Sequence, residues 1–258
     1  MLFTLITGAS MGIGEAFARE FALRGHNLLL VARSGDRLQT LAEEFRQKRG
    51  VEVHVCVEDL GDAESPARIY EFCRNHSVTV DMLVNCAGIS RAGDFDDIPY
   101  EKLEEIMMVN MLAMARLTRL LLTDMVARRC GSIINVASLG ALQGVPGLGL
   151  YSATKAFILT LSEALYAELK EKGIQVVAVC PGFINTSFFE HAGHNRANLR
   201  LPMSETGVVV KAAIKGLKKN RVRVFPTLID KVLVCSQRLA SRKIVIGIAG
   251  FIASVKDH

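Results

Sequence analysis

The sequence lacks any arrangement of cysteines or histidines that is typical of a metal site. Its six cysteines include no Cys-x-x-Cys pair, and its six histidines are scattered along 258 residues. His191 and His194 stand three positions apart, and we interpret them as surface or substrate-lining residues rather than ligands. We therefore expect no bound metal.

Long apolar runs and a strong charge imbalance are also missing. The longest apolar run, 244–255, is shorter than the roughly 18 residues that a membrane-spanning helix needs. The net charge of +5 gives no support for nucleic-acid binding. With 50% hydrophobic and 22% charged residues, the composition is ordinary for a globular enzyme.

Internal repeats, low-complexity segments and linkers are absent, so we predict one domain over 1–258. The first apolar run begins at Leu2, and we expect no signal peptide before it. Most cysteines lie in apolar runs, which favours buried thiols in a reducing compartment. These features together predict a cytoplasmic protein.

Apolar strand-like runs alternate with helical patterns along most of the chain. The predicted strands are 2–7, 27–32, 51–57, 80–85, 131–137, 174–180 and 221–225. The predicted helices are 13–24, 36–49, 63–76, 99–128, 152–172 and 205–219. The alternation predicts the α/β class, with a single-domain doubly wound parallel sheet of about seven strands flanked by helices, as in a Rossmann fold. Ligands of such sheets bind beyond the carboxyl ends of the strands.

A glycine-rich turn follows the first predicted strand. Gly8, Gly12 and Gly14 lie between Thr7 and a helical pattern that begins near Ala16. Glycines let the backbone approach a diphosphate closely, and the N–H groups at a helix start face an anion. The segment therefore predicts a dinucleotide-binding loop, with a plain strand-to-helix turn as the alternative.

Tyr151 and Lys155 are four residues apart in a predicted helix, so both side chains can point into one cleft. A tyrosine alone is a poor acid or base near neutral pH, because its reference pKa is about 10. A nearby cation stabilises the phenolate and lowers that pKa. Ser138, thirteen residues upstream, supplies a hydroxyl that can hold a carbonyl or alcohol oxygen.

Segments that follow one another in the family's order make the chain similar to the short-chain dehydrogenase/reductase family. Residues 7–14 resemble its cofactor loop, and Asn85-Cys86-Ala87-Gly88 resembles its Asn-Asn-Ala-Gly motif with Cys86 in place of an asparagine. Pro181-Gly182, followed by Thr186, resembles the segment that meets the nicotinamide. The likeness runs from residue 2 to about residue 225. The catalytic residues that it implies are Asn110, Ser138, Tyr151 and Lys155.

The resemblance also implies a role for each of these residues. Tyr151 donates the proton to the carbonyl oxygen and Ser138 positions that oxygen. Lys155 lowers the pKa of Tyr151 and binds the nicotinamide ribose. Asn110, where the family's backbone interrupts a helix, completes a proton relay through water.

The end of the second strand predicts which nicotinamide cofactor binds. Relatives that select NAD commonly carry an acid there, which holds the ribose 2′-hydroxyl. Ala32 takes that place here and Arg33 follows, which favours the 2′-phosphate of NADP(H). Met11 weakens the case, because NADP-preferring relatives often carry a basic residue at that position.

The resemblance implies a larger set of cofactor-binding residues, among which Asp59 contacts the adenine. The set is Gly8, Ser10, Met11, Gly12, Ile13, Gly14, Arg33, Ser34, Asp59, Leu60, Asn85, Ala87, Gly88, Tyr151, Lys155, Pro181, Gly182, Ile184 and Thr186.

Two segments near the C-terminus are expected to shape the substrate site. The variable substrate loop spans about 183–202, and its Phe183, Phe188, Phe189 and Leu199 are expected to line an apolar pocket. A helical extension, about 226–258, contains two apolar stretches and belongs to a strongly basic region. We interpret it as packing on the domain or on another subunit. A lipid-facing edge is the alternative, which we do not favour because charge runs are usually solvated faces.

The sequence therefore predicts an NADP(H)-dependent oxidoreductase that interconverts a carbonyl and a secondary alcohol on an apolar, fatty-acyl or steroid-like substrate. An NADP-binding sensor or scaffold without turnover, and an isomerase or epimerase that uses His191 or His194, stay open as alternatives. Apolar positions around the 99–128 and 152–172 helices predict a homodimer or homotetramer.

Overall fold

The computed structural model of the chain describes residues 1–195, 199–253 and 255. Residues 196–198 of the predicted substrate loop lie outside the described residues, as do 254 and 256–258 of the predicted extension. The strands are β1 Leu2–Thr7, β2 Asn27–Ala32, β3 Val53–Val57, β4 Thr79–Asn85, β5 Gly131–Val136, β6 Ile174–Val179 and β7 Arg223–Val224.

Helices connect these strands. They are α1 Gly12–Leu23, α2 Gly35–Arg49, α3 Ser65–Asn75, α4 Tyr100–Met107, α5 Met114–Arg128, α6 Gly149–Lys170, α7 Phe188–His191, α8 Thr206–Lys218, α9 Leu228–Ser236 and α10 Arg242–Ala253. A π-helical turn, Met108–Ala113, joins α4 to α5.

All seven strands belong to one sheet in the order β3-β2-β1-β4-β5-β6-β7, and every neighbouring pair is parallel. This confirms the predicted doubly wound sheet. The strand order reverses between β1 and β4, where such sheets open a crevice beyond the strand ends. The predicted seventh strand, 221–225, is shortened to Arg223–Val224, which lies at the sheet edge beside β6.

Helices cover both faces of the sheet because the strands are apolar on both sides. On one face Phe17 of α1, Leu38 of α2 and Val209 of α8 pack against strand residues. On the other face Ile69 of α3 and Leu117 of α5 do the same. The sheet is therefore rigid and positions the loops at its carboxyl edge.

The predicted 99–128 helix is divided by the π-helical turn at Met108–Ala113. By length and composition, Tyr100–Arg128 is long and apolar enough to cross a membrane, and half of its most apolar stretch is buried within the protein. Leu117, Leu121 and Met125 pack into the core beneath the sheet. The described contacts thus make it a core helix.

Candidate active site

A cavity of about 680 Å³ lies at the carboxyl ends of the strands. It extends from the glycine turn after β1 to the C-terminal helices α9 and α10. All predicted site residues line it except Asn85 and Asn110. The topology therefore gathers residues from both halves of the sequence around one space.

The glycine turn is built so closely that only glycine fits at two positions. Gly8 has φ +67°, and a Cβ there would lie 2.9 Å from the Cα of Ala87. A Cβ on Gly14 would lie 2.1 Å from the carbonyl oxygen of Gly8. The hydroxyl of Thr7 accepts hydrogen bonds from the N–H groups of Cys86 and Ala87, at 3.1 and 3.2 Å, and so ties the turn to the loop after β4.

The first turn of α1 opens into this part of the cavity through Gly12, Ile13 and Gly14. Met11 precedes the helix and supplies no capping side-chain hydrogen bond. The N–H groups of a helix start have no partner within the helix and are suited to a phosphate group. The turn has the form that a diphosphate requires.

Arg33 lies on the cavity wall at the end of β2, next to Ala32 and Ser34. Its Nη1 is 3.7 Å from a carboxylate oxygen of Asp59 and 3.8 Å from one of Glu105. Its side chain is 60% exposed, so these contacts leave it accessible. A guanidinium in this position can bind a phosphate through parallel N–H bonds.

Glu105 and its neighbour Lys102 were not among the sequence-predicted site residues, yet both line the cavity. The Nζ of Lys102 is 2.6 Å from a carboxylate oxygen of Glu105. The two residues are three apart on α4, a spacing found on many exposed helices, so the sequence carried no signal for this role.

Asn85 lies in the core below the cavity rather than on its wall. Its amide nitrogen donates to the side-chain oxygens of Thr118, at 3.0 Å, and Asn135, at 2.8 Å. The Asn135 amide in turn donates to Ser162, at 2.9 Å. This chain of polar groups joins β4, β5, α5 and α6, so the side chain of Asn85 holds the carboxyl ends of two strands together.

Asn110 lies within the π-helical turn and is almost fully buried. Its amide nitrogen donates to the carbonyl oxygen of Ile89, at 2.9 Å, and to the hydroxyl of Thr154, at 3.0 Å. Its amide oxygen accepts from the N–H of Ile89, at 2.9 Å. The side chain therefore fixes the loop after β4 against α6. A π-helical turn often marks a functional site.

Tyr151, Lys155 and Ser138 come together as their spacing predicts. Tyr151 and Lys155 lie on one face of α6, with the Nζ of Lys155 5.6 Å from the centre of the Tyr151 ring. Ser138 follows β5 and is hydrogen-bonded to Tyr151. The hydroxyl of Ser138 also accepts from the N–H of Gly140, at 3.1 Å, which holds its rotamer.

Burial dominates the electrostatics of the tyrosine. Burial raises the pKa of Tyr151 to about 12, and the hydrogen bond with Ser138 only partly opposes that rise. Burial also lowers the pKa of Lys155 to about 8. The Nζ of Lys155 donates to the carbonyl oxygen of Val136 at 2.8 Å. Desolvation of the phenol is thus the largest effect on the Tyr151 pKa, and the lowering of that pKa by Lys155 stays a prediction.

Aromatic side chains surround the phenol on the substrate side. The rings of Phe188 and Tyr151 are 5.4 Å apart, and Phe189 is 5.9 Å from both Phe183 and Phe188. All three phenylalanines line the cavity, as predicted, whereas Leu199 does not.

The two histidines of the substrate loop are also on the cavity wall. His191 is exposed and its Nδ1 is 2.7 Å from the carbonyl oxygen of Ser187. His194 is buried against the ring of Phe189, with the ring centres 5.7 Å apart. Both fit the interpretation of substrate-lining residues.

The C-terminal helices supply wall residues that sequence reasoning missed. Ile229 and Leu233 of α9 and Val245, Ala249 and Ile252 of α10 line the cavity. The spacing at 245, 249 and 252 places these α10 residues on one helical face. The sequence showed that these residues share a helical face, but it did not show that this face packs over the cavity.

The residues present fit NADP(H). The glycine turn and the uncapped start of α1 suit the diphosphate, Arg33 suits the 2′-phosphate, and Lys155 and Thr186 line the same cavity, where they could meet the nicotinamide end of the cofactor. When bound, the cofactor supplies or accepts a hydride.

Comparison with known proteins gives the same assignment. A family model described as short chain dehydrogenase matches residues 3–197. The very-long-chain 3-oxoacyl-CoA reductase of Anas platyrhynchos is 37% identical over 230 residues, which cover 87% of this chain and 72% of that protein.

Two solved structures share the fold over most of its length. A short-chain dehydrogenase from Sphingobium yanoikuyae in complex with NADPH is 34% identical, with a TM-score of 0.83 and coverage of 93% of this chain and 94% of that chain. The bulky-bulky ketone specific alcohol dehydrogenase from Comamonas testosteroni is 31% identical, with a TM-score of 0.77 and 93% coverage of both chains. The chain is therefore a member of the short-chain dehydrogenase/reductase family, an oxidoreductase that acts on CH–OH groups with NADP(H).

Proposed function

We propose that this enzyme reduces the ketone of molecules with a long or bulky, uncharged apolar group, and that 3-oxoacyl thioesters of long chain length are the favoured class. The observation that carries the proposal is the apolar wall of the 680 Å³ cavity beside Tyr151. Phe188 and Phe189 from one side, and Val245 and Ile252 from the other, offer surface to an apolar group.

Burial explains why such a wall selects for size. Removing apolar surface from water contributes roughly 25 cal/mol per Å², or about 0.8 kcal/mol for each buried CH₂. A short keto acid or a sugar gains little from this wall, and its polar groups lose water on entry. Selectivity therefore increases with apolar size until the cavity is full.

The names of similar proteins agree with a large apolar substrate. The relative from Anas platyrhynchos is a very-long-chain 3-oxoacyl-CoA reductase, and the structure from Comamonas testosteroni is specific for bulky-bulky ketones. Both names describe carbonyls that carry large substituents. The apolar wall of this cavity is what such substrates would contact.

The residues of the chain can supply the proton that reduction of a carbonyl requires. With its pKa raised to about 12, Tyr151 keeps its proton at neutral pH and can donate it from Oη to the carbonyl oxygen. The hydroxyl of Ser138, held by the N–H of Gly140, orients that oxygen beside the phenol. The ammonium of Lys155 stabilises the phenolate that results.

A series of neutral 3-oxo thioesters of increasing chain length tests the proposal. We expect kcat/KM with NADPH to rise by up to about fourfold per added methylene, from the burial energy of a CH₂, and then to level off. Pyruvate and a reducing sugar serve as polar controls. A flat series, or a charged keto acid as the best substrate, contradicts the proposed substrate class.

We also propose that the chain forms a homodimer through α5 and α6. Leu112 before α5 is 45% exposed, and Phe157, Leu161 and Leu165 on α6 are only partly buried. Phe157, Leu161 and Leu165 pack partly against the core, and a second copy would bury the apolar surface that they and Leu112 leave uncovered. Light scattering at micromolar concentration is expected to give twice the chain mass, and a monomer alone would contradict the proposal.

A further inference from the structure

The C-terminal segment 228–253, which we call the lid, is apolar on two opposite faces. Its inner face closes the cavity with residues of both α9 and α10, such as Leu233 and Ile252. Hydrogen bonds hold it in place: the Gln237 amide donates to Gln143, and the N–H of Arg200 donates to the carbonyl oxygen of Ile252.

The outer face of the lid exposes large apolar side chains. Leu228 and Val232 stand four apart on α9, and Ile244 and Phe251 stand seven apart on α10, so each pair shares a helical face. Leu239, between the helices, is 92% exposed. None of these five residues lines the cavity. A helix that is apolar all round normally has both faces covered.

The charges on the same surface have one sign. Lys231, Arg238, Arg242 and Lys243 are exposed. Asp230, the one acid among residues 228–253, is buried and accepts a hydrogen bond from the N–H of Thr227 as part of a helix cap. The outer face of the lid therefore presents apolar side chains among positive charges, without an exposed acid.

The positive charge of the outer face of the lid favours a lipid surface over a second copy of the chain as its partner. A second copy packed symmetrically through the lid would bring like charges together, with no exposed acid on the lid to pair with them. An anionic lipid surface offers phosphate groups for the cations and an apolar boundary for the side chains. The lipid surface satisfies both features.

We propose that the outer face of the lid binds the surface of an anionic lipid membrane. Val232, Leu239 and Ile244 enter the boundary between headgroups and acyl chains, while the lysines and arginines contact the phosphates. The lid then lies between membrane and cavity. If the substrate class proposed above holds, an apolar ketone can pass from lipid to active site beside the lid.

Vesicle sedimentation of the full chain tests the proposal. The probes are vesicles of phosphatidylcholine alone and vesicles of phosphatidylcholine mixed with an equal amount of phosphatidylglycerol. We expect the protein to sediment with the anionic vesicles, to release at high salt because screening weakens the charge attraction, and to remain in the supernatant with phosphatidylcholine alone.

Two double variants separate the apolar and the charged contributions. Leu239→Ser with Ile244→Ser removes apolar contact, and Arg238→Glu with Lys243→Glu reverses two charges. Each is expected to weaken binding to anionic vesicles about tenfold or more, since each basic residue near such a surface contributes about fivefold. Turnover of a water-soluble ketone stays unchanged, because these four residues do not line the cavity.

Matched controls place the same chemistry elsewhere on the surface. Leu23→Ser removes an exposed apolar side chain at the end of α1, and Lys170→Glu with Lys172→Glu reverses two exposed charges at the end of α6. Both controls should bind vesicles as the wild type does.

Three outcomes overturn the proposal. They are absence of wild-type sedimentation with anionic vesicles, equal sedimentation of the lid variants and the wild type, and a dimer that becomes a monomer in Leu239→Ser with Ile244→Ser. The last result identifies a second copy as the partner. Membrane binding is measured without turnover, so failure of the substrate proposal cannot be mistaken for failure of this one.

Discussion

The two ends of the cavity are constructed by different physical means. At the cofactor end the wall is mainly backbone: Gly8 and Gly14 leave no room for a side chain, and Thr7 anchors two N–H groups of the neighbouring loop. At the substrate end the wall is mainly apolar side chains, such as Phe188 and Ile252.

The two kinds of wall differ in how many amino-acid substitutions they tolerate. A wall of backbone and hydrogen bonds tolerates few substitutions, because one added carbon atom would collide with a neighbouring main-chain segment. A wall of apolar side chains can change its shape by exchanging one hydrophobic residue for another of similar size. The cofactor end therefore determines the type of reaction, and the substrate end determines which molecule reacts.

Removal of the Tyr151 hydroxyl has the largest expected effect, because this group lies between the cofactor end and the substrate end. Tyr151→Phe should lower kcat by at least 10²–10⁴-fold, because the transferable proton is lost. The Kd for NADPH, measured by fluorescence titration, should stay at the wild-type value. A Tyr151→Phe variant with near wild-type turnover would show that another group donates the proton.

The cofactor end was largely predictable from sequence because its constraints act on neighbouring residues. A strand, a glycine turn and a helix start follow one another within 2–23, and the Tyr151–Lys155 pair shares one helical face. The interruption at Asn110 was expected from the family resemblance, and it takes the form of a π-helical turn.

Other features could not be predicted because they depend on distant contacts. The core position of Asn85 follows from its hydrogen bonds to Thr118 and Asn135, which are far away in sequence. The same applies to the lid, since only the folded chain shows that α10 lies over the cavity. The pKa of Tyr151 depends on how far the folded chain desolvates the phenol, which a spacing of four residues does not show.

A methyl group at the tightest backbone contact should damage the cofactor end alone. In Gly14→Ala the Cβ would lie 2.1 Å from the Gly8 carbonyl oxygen, so the start of α1 must move. A displacement of about 1 Å can cost roughly 10²-fold in rate, and we expect kcat/KM with NADPH to fall by about that factor and the Kd for NADPH to rise.

Gly25→Ala is the matched control for this loop variant. Gly25, unlike Gly14, has a positive φ, of +80°, but a Cβ there meets no atom within 4 Å. It should lose about 1 kcal/mol of stability and keep its affinity for NADPH. Equal affinities of Gly14→Ala and the wild type would contradict the close-packed cradle.

Arg33 is expected to determine the preference of the cofactor end for NADPH over NADH. Arg33→Ala should raise the KM for NADPH by roughly 10–100-fold, the equivalent of a hydrogen bond to a charged group, and leave the KM for NADH nearly unchanged. Arg37→Ala, an exposed arginine on α2 outside the cavity wall, is the control. A wild-type preference for NADH, or equal shifts for both cofactors, would remove Arg33 from the phosphate site.

The pH dependence reports on Lys155. Burial lowers its pKa to about 8, so the ammonium is present below that pH and is lost as the pH rises through it. The kcat/KM for NADPH, which reports groups of the free enzyme, should therefore be about tenfold below its plateau near pH 9. Burial raises the pKa of Tyr151 to about 12, so we expect the phenol to titrate above this limb. A midpoint near pH 10 or above would contradict the assignment.

The smallest expected effect is confined to the substrate end. Ile252→Ala removes part of the apolar wall, and its backbone carbonyl still accepts from the N–H of Arg200. We expect kcat/KM for a long-chain 3-oxo thioester to fall at least about fourfold, because the three carbon atoms removed are worth at least one buried CH₂, and the KM for NADPH to stay unchanged.

Ile246→Ala shows whether that loss comes from the wall or from the helix. Ile246 lies on the same helix, is 41% exposed and does not line the cavity, so the same truncation there should leave the long-chain efficiency intact. The effect of Ile252→Ala should also disappear for a short neutral ketone, which does not reach the lid. If both variants lose long-chain activity equally, the loss comes from the helix and not from the cavity wall. If the KM for NADPH rises in either variant, the two ends of the cavity do not act independently, because a side chain of the lid would then alter the glycine turn that binds the cofactor.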